Sequence, residues 1–511
     1  MLLALAAILC VGCGFALASA GWPARPLRSA DFYLRASLSV PFGLAVFSVV
    51  FFLRRVLGMP NLLLADLAVF GLLLTGLALR LHWSGRAGFI GGVTKTEVEP
   101  QGLKPSGIEH GASSNRASRS ETTNEDRHPG WISGALTAGF VASIGVALYS
   151  AGMRLFAHPH GNGWDAFAIW NLHARFLYRG GEHWRDGFSP AIPWSHPDYP
   201  LLLPAAVAHF WSYVGHDDAA VPAVIAFLFT FCTAGLLCSA LSALRGRTAA
   251  ILGGMALLST PAFIDVGSWQ YADVPLSFFF LATVVLLCFW DAADSSARSG
   301  FLALAGVSAG CAAWTKNEGL LFLCVMVSVL VWSVRRERRR GVMEKNPGGA
   351  GISSLPFLTT IVPAMVLIMY FKHFVAPPGD LFTGRATMLH KLMDPARYWA
   401  VIKWFGMEFF RFGRWLAIPG TVLLAGLYLA VGKEDRGQQP GFRAGCVALV
   451  LTLAGYFAVY LITPLDLNWH LRFSLDRLFL QVWPSALFLF FVGSRMGSPS
   501  TVSRRVEHRP N

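Results

Sequence analysis

Apolar runs of about twenty residues recur along the whole chain, broken by short polar stretches. Each run, wound as an α-helix, is long enough to cross roughly 30 Å of hydrocarbon. The pattern predicts spans over 2–20, 38–53, 61–80, 131–156, 219–243, 248–264, 272–292, 301–315, 317–334, 355–376, 413–432, 443–463 and 478–494. One further apolar stretch, PLLLPAAVAHFWSYVG at 200–215, is short, has two prolines at its start and contains His209. It is expected to lie in or dip into the interface, not to cross. The fold class expected is all-α: a polytopic membrane helix bundle of about 13 spans, with interfacial helices in a large first external loop.

Composition supports this reading. Of 511 residues, 54% are hydrophobic and 14% charged, where a soluble protein carries about a quarter charged. Mean hydropathy is +0.50. The eight cysteines all lie in apolar segments without zinc-site spacing, so they read as small hydrophobes. A formal charge of +13 does not indicate nucleic acid here, because arginines concentrate where cytoplasmic loops fix the topology. The basic clusters VRRERRRG (334–341), RGR (245–247) and SRRVEHR (503–509) all belong on the cytoplasmic side if 200–215 does not cross. The N-terminus is then outside and the C-terminus inside, and Arg54 and Arg55 fall against the trend in a short external loop. The first twenty residues end in Ala-Ser-Ala, like a signal-peptidase site, but no basic region precedes the apolar run. They are expected to remain as a helix.

Residues 84–130 are polar and Gly/Ser-rich without period, the signature of a disordered cytoplasmic linker. The expected organisation is an accessory group of helices at 1–83, this linker, a core at 131–334 with an external loop at 157–218, and C-terminal helices with a cytoplasmic tail at 335–511. No internal repeat of the kind found in transporters is evident.

With this orientation the polar residues gather on one side. The loop 157–218 holds Asp165, His173, Arg175, His196, Asp198 and Tyr199. DVGSWQYADVP (265–275) brings Asp273, and AWTKNEGLLF (313–322) brings Lys316 and Glu318. The stretches 377–399 and 463–478 add Arg385 and Arg472. Each has a plainer reading. Asp165 precedes AFAIWNLHARFLY, in which Ala168, Ile169, Leu172 and Phe176 share a helical face, and an aspartate there can simply cap the helix. Trp164, Trp170 and Trp184 can be interfacial anchors, Asp273 a cap, and Lys316 a snorkelling lysine. His158, His160, His173, His183 and His196 share a loop but show no ligand spacing. No metal ligands are assigned, and a divalent metal stays open.

The order of these pieces carries a resemblance. An acid just outside a membrane helix is followed by an aromatic helix, then HPDYPLLLPAAVAHFWSYVG (196–215), YADVP (271–275) and WTKNEGLLF (314–322). This resembles the GT-C superfamily of membrane glycosyltransferases that use polyprenyl-phosphate sugars, such as protein O-mannosyltransferases and lipid A aminoarabinose transferases. The likeness covers about 131–334. It implies that Asp165 is the base and Asp273 a second catalytic acid. It places His196, Asp198, Tyr199 and Glu318 near the donor. Aminoarabinose transferases have a lysine where this chain has Asp198, so Lys316, Arg175, Arg385 or Arg472 would bind the phosphate. The implied partners are a polyprenyl-phosphate sugar, a lipid-linked or protein acceptor, and membrane lipids. The implied site is the outer face of a bacterial cytoplasmic membrane.

The chemistry suits few residues. Glycoside hydrolysis needs one carboxylic acid to protonate a poor leaving group and a second carboxylate as base or nucleophile. A polyprenyl phosphate leaves as a stabilised anion, so cations replace the acid and one carboxylate suffices as base. The other readings are a polytopic transporter or flippase, whose charges belong at mid-depth along a pathway, a non-catalytic scaffold of envelope glycan assembly, and a GT-C-like ligase that moves a whole glycan from its lipid carrier.

Overall fold

The computed structural model of the chain describes residues 1–23, 29–93, 130–339, 354–379, 385–415, 420–432, 434, 436 and 439–495. Among these residues the regular elements are helices. They are α1 (Leu2–Ala20), α2 (Ser29–Leu57), α3 (Leu62–Val93), α4 (Gly130–Ala157), α5 (Asn171–Arg179), α6 (Leu202–Val214), α7 (Ala220–Arg245), α8 (Arg247–Leu258) and α9 (Pro261–Ser268). There follow α10 (Asp273–Ala292), α11 (Ser295–Thr315), α12 (Asn317–Arg339), α13 (Leu355–Phe374), α14 (Arg385–Leu392), α15 (Pro395–Arg411), α16 (Gly420–Val431), α17 (Pro440–Ile462) and α18 (Leu467–Gly493). The polytopic helical bundle is therefore as expected.

Ten of these helices are long and apolar enough to cross a membrane, and up to 11 if the bent pair α8 and α9 is one span. That pair meets at 63°. Pro261 forces the break, because the residue before a proline is driven out of the helical region, and Thr260 is extended (ψ 103°). Two of the thirteen expected crossings differ in detail. The run 301–315 is the latter part of α11, which opens on the polar SSARSG and falls outside the ten. Within 413–432 the described helix is α16, 12 residues or about 18 Å, short of a full crossing. α3 continues to Val93, so residues 84–93, expected as part of a linker at 84–130, are helical. Residues 94–129, Arg340, Gly341 and the basic tail at 503–509 lie outside the described residues.

The centre of the bundle is α10. Its sequence, DVPLSFFFLATVVLLCFWDA, is apolar all round, and such a helix has to be surrounded on every side. It is packed by α7, α11, α17 and α18, and its whole apolar window is buried. Tight links join α10, α11 and α12, the second of them a single residue, Lys316. The start of α10, the end of α11 and the start of α12 therefore meet at one end of the bundle. At the other end Asp291, near the end of α10, accepts the first amides of α17, Gly441 and Phe442, at 2.8 Å each, where a carboxylate is favoured by the helix dipole. Arg245, at the end of α7, joins the Ser494 carbonyl and Glu434 at this same end.

The three N-terminal helices pack directly on this body. α1 and α2 cross backbone to backbone: a Cβ on Gly14 would lie 1.7 Å from the Ser39 carbonyl oxygen, and one on Gly43 2.0 Å from that of Cys10. Small residues allow this approach. α2 then lies against α6 and α7. α6, 13 residues long and mostly buried, is too short to cross. The carbonyl of Leu201 just before it accepts from Ser48, which in turn accepts from Trp314 near Lys316, at the Asp273 end. α3 is tied to α6 by a buried polar knot, in which the Asp66 carboxylate meets His209 Nε2 at 3.1 Å and accepts from the Tyr213 hydroxyl. Replacing Asp66 by Ala strands His209 and Tyr213 in an apolar setting, at a cost of about 1–3 kcal/mol. The expected outcome is a lower melting temperature in detergent. An unchanged melting curve would show that the knot holds nothing.

The ill-placed Arg54 and Arg55 also find a use. Arg55 Nε donates at 2.8 Å to the Leu177 carbonyl and its Nη2 at 3.1 Å to that of Tyr178, satisfying last-turn oxygens of α5. Arg54 donates to the carbonyls of Met59 and Pro60.

Candidate active site

Between α4 and α5 the chain reads HPHGNGWDAF, and its two glycines are required by both conformation and space. Gly161 has φ +86° and Gly163 φ +80°, the left-handed region that glycine enters at no steric cost. A Cβ on Gly161 would stand 2.9 Å from the Trp269 carbonyl oxygen, and one on Gly163 2.5 Å from the Tyr271 hydroxyl. The loop is thus laid against the turn that precedes α10. Gln270, itself at φ +63°, clamps it by donating to the Pro159 carbonyl at 3.0 Å and accepting from Asn171 at 2.8 Å. Asp165 is delivered to the start of α10 by this clamp.

Asp165 is not a side-chain cap, for its carboxylate makes no capping hydrogen bond to the turn it precedes. That turn, Ala166–Trp170, is a π-turn, and the inserted residue rotates the face expected from α-helical spacing. The buried set is Ala166, Ala168, Ile169, Trp170, Asn171, His173, Ala174 and Leu177, while Leu172 and Phe176 are half-exposed. Trp170 and Trp184 are core residues, not interfacial anchors; Trp164 is exposed.

The carboxylate of Asp165 pairs with Arg477 of α18. The same Nη1 lies 3.7 Å from Asp273, whose side chain is 1% exposed. The other oxygen of Asp273 accepts from Lys316 at 3.1 Å and from Gln481 at 2.6 Å, and Gln481 accepts from the Tyr456 hydroxyl at 2.6 Å. Lys316 also meets Glu318 at 2.8 Å. Three carboxylates thus share two cations, and the side chain of Asp165, at 23%, is the most exposed of the three. Burial alone would lower the Lys316 ammonium, but Asp273 and Glu318 outweigh it and hold its pKa above the ordinary value, so it stays charged. Arg477 stands 5.2 Å over the Tyr271 ring. Burial first, then the Asp165 charge, raises the Tyr271 phenol to about 12.

The HPDYP segment forms the adjoining wall. Tyr199 is stacked between His196 (centroids 4.7 Å) and Trp170 (5.6 Å), with Lys316 5.8 Å above its ring. Burial raises the Tyr199 phenol and lowers the His196 imidazole, whose backbone is left-handed at φ +50°. Asp198 accepts from Asn317 at 2.8 Å and from Lys372 of α13 at 3.3 Å, which pins this wall to α12 and α13. His173, buried behind it with neither ring nitrogen hydrogen-bonded among the described residues, is held neutral by burial and has its pKa lowered to about 3.

Of the residues singled out from the sequence, Asp165, Asp273, His196, Asp198, Tyr199, Lys316 and Glu318 come together here. Arg175 does not: with Arg179 it pairs with Asp217, joining α5 to the segment after α6. Arg472 is exposed beside Phe473, and Arg385 opens α14 with its side chain outside the described residues. Arg477, Gln481 and Lys372 were missed. Among the described residues no three His, Cys, Asp or Glu side chains are grouped as metal ligands, and all eight cysteines are free.

Residues 198–375 match a family model described as dolichyl-phosphate-mannose-protein mannosyltransferase. The match runs from the Asp198 wall through Asp273, Lys316 and Glu318 to Lys372, and leaves Asp165 and Arg477 outside. It supports, over this stretch, the resemblance to GT-C membrane glycosyltransferases that use polyprenyl-phosphate sugars. No curated protein and no solved structure matches the chain.

Proposed function

We propose that this multi-pass membrane protein, whose residues 198–375 match a dolichyl-phosphate-mannose-protein mannosyltransferase model, is a transferase that moves one sugar, mannose or a near relative, from a polyprenyl phosphate to an acceptor hydroxyl. The observation that carries this is the partly exposed Asp165 carboxylate paired with Arg477, which also approaches the buried Asp273–Lys316 pair at the start of α10. Asp165 takes the acceptor O–H proton as that oxygen attacks the anomeric carbon. The bond from this carbon to the phosphate oxygen breaks, its electron pair leaves with the polyprenyl phosphate, and the configuration inverts. Lys316 and Arg477, in a site shielded by α10 and α18, face the growing phosphate charge, where fixed charges act more strongly than in water. The donor's tail stays in lipid at about 0.8 kcal/mol per buried CH2, which suits a catalyst made of membrane helices.

We take the side of the membrane from charge. Arg245, Arg335 and Arg336 end α7 and α12 at the end opposite Asp273, and basic residues favour the cytoplasm. The reaction then faces outward. The transporter reading is less favoured, because Asp165, Asp273, Lys316 and Glu318 sit at helix ends or links, and only Arg477 and Gln481 come from within a helix.

The test is transfer by purified protein from a panel of radiolabelled polyprenyl-phosphate sugars, mannosyl first, to hydroxyl acceptors. Donor-dependent transfer supports the assignment. Absence of both turnover and donor binding across the panel would overturn it in favour of a transporter or scaffold.

A further inference from the structure

Arg477 carries a consequence beyond charge balance. Its Nη1 serves two carboxylates that differ in what else they hold. Asp273 is fully buried and keeps Lys316 at 3.1 Å and Gln481 at 2.6 Å whatever Arg477 does. Asp165 has Arg477 as its one side-chain hydrogen-bond partner among the described residues. In this arrangement the proposed base is tied up, because one oxygen of its carboxylate is held against the guanidinium. An incoming phosphate offers Arg477 a second anion of planar, two-toothed fit, the kind of partner arginine prefers.

We infer that Arg477 exchanges partners on donor binding: it leaves Asp165 for the donor phosphate, so that loading of the donor and release of the base are one event. The inference rests on the glycosyl-transfer reading above. Asp273 makes the exchange feasible. It keeps a negative charge 3.7 Å from Nη1, so the guanidinium is not stripped of charge compensation as it turns. Tyr271, whose ring lies under the guanidinium, provides a face along which it can move. No proton moves in the exchange, and no covalent bond changes. Its purpose is economy of chemistry, because a site with no donor holds its carboxylate against Arg477 and away from adventitious cations.

The exchange makes an unusual demand on binding. If Asp165 competes with phosphate for Arg477, deleting its charge must tighten the phosphate. The probe is sugar-free polyprenyl phosphate titrated against the full-length protein in detergent, with thermal melting as a folding control. Asp165→Asn is expected to bind about tenfold more tightly than wild type, and Arg477→Gln at least tenfold more weakly. A folded Asp165→Asn that binds equally or more weakly, or a folded Arg477→Gln that binds as wild type does, overturns the exchange. Asp165→Ser serves as a second charge-deleting variant if Asn fails to fold. Failure of wild type itself to bind any polyprenyl phosphate would instead remove the glycosyl-transfer reading, so the two failures are distinct.

Discussion

Asp165→Asn is expected to lower sugar transfer by about 10²–10⁴-fold, the range contributed by a positioned general base. The amide keeps the size and the place of the carboxylate but cannot take the acceptor proton. The loss belongs in kcat, because the residue acts as the acceptor attacks and not as the donor is held. The check is initial-rate transfer with donor and acceptor varied separately, on protein whose melting temperature is that of wild type. A variant that keeps full activity would end the assignment and shift the search to Asp273 or Asp198. A variant that loses activity through a raised donor KM would make Asp165 a binding residue.

The second large effect concerns stability. Asp273 is the hub on which Lys316, Arg477 and Gln481 converge, with 1% and 7% of the Asp273 and Lys316 side chains exposed. Removing one member of such a buried pair leaves the other uncompensated, at a cost of about 3–5 kcal/mol. Asp273→Ala and Lys316→Met should each lower the melting temperature steeply and abolish transfer. The double variant should lose less than the sum of the two, because the second change removes a charge the first left stranded. Additive losses would mean that the two side chains are neighbours without being a pair.

What the sequence made legible follows from which forces are local. Membrane helices show in an apolar run, since each satisfies its own backbone hydrogen bonds and needs only length and hydropathy. Asp273 and Lys316 stood out because each ends an apolar run with a charge. Arg477 did not. LNWHLRFSLDRL alternates charge and apolar residues and reads as a loop, whereas α18 already begins at Leu467. Arg477 and Gln481 are one turn apart on that helix, and a face carrying both is the signal that could have revealed them. Arg175 shows the converse difficulty. A loop arginine reads alike whether it awaits a phosphate or holds Asp217, and here the partner settled it. The π-turn at Ala166–Trp170 was hidden for a related reason, because one inserted residue shifts a face without altering composition.

The pairing of Asp165 with Arg477 joins positions 312 residues apart. A chain emerging from the ribosome therefore places both carboxylates in the membrane long before the arginine that balances them. Until α18 enters, the Asp165 loop has no guanidinium to dock on, and the buried Asp273 has only Lys316 as a cation. On the proposed function, α18 then completes the site as it enters during biogenesis. Any chain cut short ahead of it would hold the matched segment, residues 198–375, entire and yet lack the guanidinium that pairs with Asp165.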